Sequence, residues 1–98
     1  MANRTLQEMN QNEVRPLELT INDPIGAPFS PSAAYVTVLD DSGNTVVAEQ
    51  AAMVVGSTVY TVIGTTVSGT VGDYVVKWRI LYSTYTYYHA TDLQIVDL

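Results

Sequence analysis

Apolar and polar positions alternate along most of this chain with the period of two that belongs to β-strands. Over residues 15–21, Leu17, Leu19 and Ile21 share one face, and Glu18 and Thr20 share the other. Residues 34–39 set Val36 and Val38 against Tyr35 and Thr37, and residues 57–63 set Val59 and Thr61 against Tyr60 and Val62. The longest pattern, residues 74–82, puts Tyr74, Val76, Trp78, Ile80 and Tyr82 on one face and Val75, Lys77, Arg79 and Leu81 on the other. Residues 85–96 are expected to return antiparallel to it across a tight turn at Ser83-Thr84. Shorter strands are expected at 45–48 and 51–55, and a softer segment, broken by Gly69, at 65–71. No segment longer than a few residues repeats with helical spacing.

The punctuation between these runs supports the same reading. Pro24 presets its own φ and Gly26 tolerates positive φ, so residues 22–26 read as a turn. Pro28 and Pro31 bracket Phe29 in an irregular connection and forbid a central strand there. Residues 40–44, Asp-Asp-Ser-Gly-Asn, make an acidic hairpin loop in which Gly43 or Asn44 can take the left-handed position. Residues 1–14 are polar, with weak apolar spacing at Leu6 and Met9 only. They are expected to be an arm that orders on a neighbour, and its removal is expected to leave the domain folded. About seven closely spaced strands predict an all-β fold, an antiparallel immunoglobulin-like β-sandwich over residues 15–98.

A chain of 98 residues with 47 % apolar and 14 % charged side chains is one folded domain. It has no cysteine, which excludes disulfides and thiolate metal sites. The formal net charge of −6, from four basic and ten acidic residues, argues against nucleic acid, whose phosphates need a basic stripe, and against anionic membranes. No apolar run is long enough to span a bilayer. Residues 1–14 do not read as a signal peptide, so synthesis and folding in a cytoplasm are expected. A surface rich in Val, Thr and Tyr and poor in charge is expected to be partly covered by another chain.

Candidate chemistry is sparse. His89 is the sole histidine, and Asp92, three positions along the strand, belongs to the opposite face, so no acid–base pair forms and no enzyme activity is expected. Asp40, Asp41 and Asn44 could offer oxygens to Ca²⁺, but lack the spacing of a calcium loop, and turn formation is the default. No cofactor and no metal are expected. Tyr82, Tyr85, Tyr87 and Tyr88 cluster near Trp78. Trp78 belongs to the core, whereas Tyr85, Tyr87 and Tyr88 cannot all face one side of a strand, so at least one is exposed or meets a partner. Lys77 and Arg79 share a strand face and can bridge to a neighbouring subunit or to Asp73, Asp92 or Glu49. The expected partner-binding set is therefore Tyr82, Tyr85, Tyr87, Tyr88, Lys77 and Arg79, with Arg4 and Arg15 at the N-terminal edge.

The loop Asp-Asp-Ser-Gly-Asn-Thr-Val at 40–46, the strand Gly-Asp-Tyr-Val-Val-Lys-Trp at 72–78 and the ending Leu-Gln-Ile-Val at 93–96 resemble the small immunoglobulin-like domains of tailed-bacteriophage virions. The resemblance covers residues 15–98. It implies a non-enzymatic virion protein, present in many copies or as a homo-oligomer, whose partners are capsid, neck or tail proteins. A capsid decoration (cement) protein on the assembled shell is the first expectation, and a neck, tail or baseplate component the second. The tyrosine-rich hairpin keeps a third reading open, a carbohydrate or cell-surface recognition module.

Overall fold

The longest alternation in the sequence becomes the centre of the molecule. In the computed structural model, which describes residues 5–20, 31–82 and 84–97, β7 (Gly72–Tyr82) and β8 (Tyr85–Val96) pair antiparallel along their whole lengths. β3 (Ala33–Asp40) joins the far side of β7, β4 (Thr45–Ala51) follows β3, and β1 (Thr5–Asn10) lies parallel to β8. These strands form one sheet in the order β1-β8-β7-β3-β4, and β2 (Arg15–Thr20), β6 (Thr58–Ile63) and β5 (Met53–Val55) form a second, in the order β2-β6-β5. The expected all-β, two-sheet architecture is present, with eight strands among the described residues against an expectation of about seven.

The predicted faces match the packing. Val36, Val38, Val76, Trp78 and Ile80 are buried from the larger sheet, and Leu17, Val59 and Ile63 from the smaller. They join one cluster, and burial of this apolar surface is the main driving force for the fold. Trp78 is fully buried, so its indole N–H needs an internal acceptor; it donates to Thr91 Oγ1 at 3.1 Å.

Two segments differ from expectation. Residues 65–71 contain a one-turn helix, α1 (Thr65–Ser68), instead of an extended run. Gly69 ends it with its N–H on the Thr65 carbonyl at 2.9 Å, and a Cβ at this position would stand 2.5 Å from that oxygen. Tyr74 Oη then donates to the Thr70 carbonyl at 2.9 Å, pinning the turn to the start of β7.

The second correction concerns the N-terminal arm. Residues 5–10 are a strand of the larger sheet, with Gln7 beside Leu93 and Met9 beside Ile95. Met9 is 2 % exposed and sits in the core, so removing residues 1–14 would open a hole there. The signal was weak because a short edge strand sends one long apolar side chain inward while Leu6 points to solvent. A turn joins β1 to β2, with Glu13 N–H on the Asn10 carbonyl at 3.0 Å and Asn12 at φ 68°. In the 40–44 loop Gly43, not Asn44, takes the left-handed position, at φ 87°. Ile21, Pro24, Gly26, Pro28, Phe29 and Ser83 lie outside the described residues.

Candidate docking site

Antiparallel register distributes the tyrosines between the two faces of the larger sheet. Along β8, Tyr85 pairs with Tyr82, Tyr87 with Ile80 and His89 with Trp78, so Tyr85, Tyr87 and His89 share the core-facing side. Tyr88 pairs with Arg79 and Ala90 with Lys77 on the outer side. Tyr82, Tyr85 and Tyr87 thus gather at the turn end of the hairpin, where Tyr85 is 63 % exposed and Tyr87 is half-buried against the core. The rings of Tyr85 and Tyr87 are 6.3 Å apart and tilted by 37°. Tyr88 is 76 % exposed and projects the other way. The four tyrosines therefore do not make one stacking platform.

The outer face carries a second cluster. Arg79 donates through Nε and an Nη to the two oxygens of Glu49, at 3.0 and 2.9 Å. This fork spans β3, and the guanidinium lies over the ring of Tyr35 on that strand, 4.5 Å from its centroid. The hydrogen bonds from Arg79 hold the Glu49 carboxyl below its ordinary range, and the same bonds raise Arg79. Lys77 is exposed two residues along on the same face. Of the three acidic residues weighed from sequence, Glu49 is the partner of Arg79. Tyr35 was missed as a site residue, because its place opposite Arg79 follows from β3 pairing with β7, which is a non-local fact.

The remaining expected residues are placed differently. Arg15 stays at the surface, its side chain 41 % exposed, where it donates to the Glu8 carbonyl and stands 3.6 Å from Glu13, tying β2 to β1. Arg4 lies outside the described residues. His89 is half-buried, and its Nε2 has no hydrogen-bond partner among the described residues. Asp92 faces outward beside Val75, on the side opposite His89. Asp40 Oδ1 accepts the N–H groups of Ser42 and Asn44 at 3.0 and 2.9 Å, the hydrogen-bonding of a turn former. Among the described residues no group of three side chains could hold a metal ion.

This arrangement offers two rigid, aromatic-bearing surfaces carried by paired strands, which suits recognition of another surface. No family model and no curated protein matches the sequence. Among solved structures, the chain is similar to the immunoglobulin-like domain of mouse leukocyte-associated immunoglobulin-like receptor 1, crystallised as a strand-swapped dimer. The TM-score is 0.50 over 98 % of this chain and 93 % of that one, at 13 % identity. At that identity the likeness shows the fold alone: an immunoglobulin-like β-sandwich. Tyr74 fits that fold as its corner tyrosine, and Val76, two residues later, stands where antibody domains carry their second cysteine. The buried tryptophan lies on β7 here, whereas antibody domains place theirs on the strand corresponding to β3.

Proposed function

We propose that this domain is a non-enzymatic structural protein of a tailed-phage virion, a decoration protein that docks on the assembled capsid in many copies. The observation that carries the docking part is the aromatic end of the β7–β8 hairpin, where Tyr82 and Tyr85 are 39 % and 63 % exposed at the tip of the longest pair of strands. Tyrosines anchored on a hairpin present large contact area with little side-chain entropy to lose, which suits a protein–protein contact. The virion part is supported by the sequence resemblance in the 40–46 loop, the 72–78 strand and the 93–96 ending.

Co-sedimentation with purified tailed-phage capsids tests the proposal. The protein should bind saturably at a fixed ratio to capsomers and ignore the free major capsid protein, and Tyr85→Ala should weaken binding at least about tenfold, the loss of a modest hot spot. Binding of only a few copies per particle would move the role to the neck or tail. Binding to soluble glycans but not to particles would replace it with carbohydrate recognition.

A further inference from the structure

The outer face of the larger sheet changes charge along its strands. Toward the hairpin turn it carries Lys77, Arg79 and Tyr88. Toward the other end Asp41, Asp73 and Asp92 line a shallow depression with Leu6. Along β7 the outward sequence is Asp73, Val75, Lys77, Arg79, acidic to basic within one strand. Tyr88, 76 % exposed, and Leu6, 64 % exposed, stand toward its two ends. Between the ends lie half-buried Thr37, Leu39, Val75 and Ala90.

We propose that this face is a two-fold interface between two copies of the chain, with the strands of one sheet running opposite to those of the other. A two-fold axis lying in the interface and across the strands sets β7 over β7 of the second copy in reversed order. The row of Lys77 then meets the row of Val75, and the row of Arg79 meets that of Asp73, so the basic end of each copy covers the acidic end of the other. The symmetry makes every such contact twice. A second copy with its strands running the same way would stack lysine on lysine and aspartate on aspartate, which like-charge repulsion disfavours. Arg79 needs little ordering, because Glu49 and Tyr35 already hold it. The hairpin tip is left outside this contact, so the inference goes beyond the capsid-docking reading and does not depend on it.

The test uses sedimentation velocity of the intact chain and of Arg79→Glu and Asp73→Lys, the two positions that the two-fold sets opposite each other. The wild type should dimerise, more weakly as salt rises. Each variant alone should self-associate at least about tenfold less, because each places like charges together twice. Mixed one to one, the two variants should recover the dimer, since both charge pairs across the two-fold are then opposite. A wild-type monomer throughout, single variants that dimerise like the wild type, or a mixture that stays monomeric while circular dichroism shows both variants folded would each overturn the proposal. None of these outcomes bears on particle binding through Tyr85, which is measured separately.

Discussion

At the scale of single residues the fold rests on a few polar contacts that its apolar packing makes necessary. Trp78 is the only tryptophan, so its fluorescence reports unfolding directly. Thr91→Val leaves the buried Nε1 without the acceptor it has at 3.1 Å, and should cost about 1–3 kcal/mol in urea unfolding, the penalty of an unpaired buried donor. Tyr74→Phe removes the bond to the Thr70 carbonyl, but Thr70 is exposed and water can replace the donor, so the loss should be nearer about 1 kcal/mol. The Arg79–Glu49 pair sets a sign for pH. Because Glu49 is held below its ordinary range when folded, the pair's contribution is present above that range and fades as pH falls through the folded value. Glu49→Gln should therefore remove part of the acid-side slope of stability, with a small effect because both groups are open to solvent. Much of this scale was legible in advance: Trp78 in a run of Val76 and Ile80 could only be core. Tyr35 was not, since its contact with Arg79 comes from strands 44 residues apart pairing in one sheet.

At the scale of elements, strong alternation located β2, β3, β6, β7 and β8, because a half-buried strand writes its two faces into the sequence. β1 was hidden, because an edge strand with one buried methionine has almost no pattern to read. Met9→Ala separates the two readings of this segment. A strand whose methionine fills the core predicts a loss of about 2–5 kcal/mol, whereas an arm ordered only by a neighbour predicts no change in the isolated domain. The segment at 65–71 was obscured differently: its threonines favour extended structure, yet the crossing from β6 in the smaller sheet to β7 in the larger needs a tight turn, and Gly69 provides the close approach.

At the scale of the whole molecule, the chain sets its aromatic and basic strand residues in two regions: the hairpin tip, with Tyr82, Tyr85 and Tyr87, and the outer sheet face, with Tyr88, Arg79 and Lys77. The sequence brought these residues together as one group because they are neighbours along the chain. Strand alternation separates them, which leaves the tip for the proposed particle contact and the outer face for the proposed second copy. The immunoglobulin-like framework itself is indifferent to function, so the account stands on these surfaces. On the proposed reading, the hairpin tip docks the domain on an assembled capsid. The most direct test is co-sedimentation of the wild type and of Tyr85→Ala with purified tailed-phage capsids, with thermal unfolding of both proteins measured alongside. The wild type should bind saturably at a fixed ratio to capsomers, and the variant at least about tenfold more weakly with its melting temperature unchanged. A folded wild type that stays in the supernatant, or a variant that binds as well as the wild type, would contradict that reading.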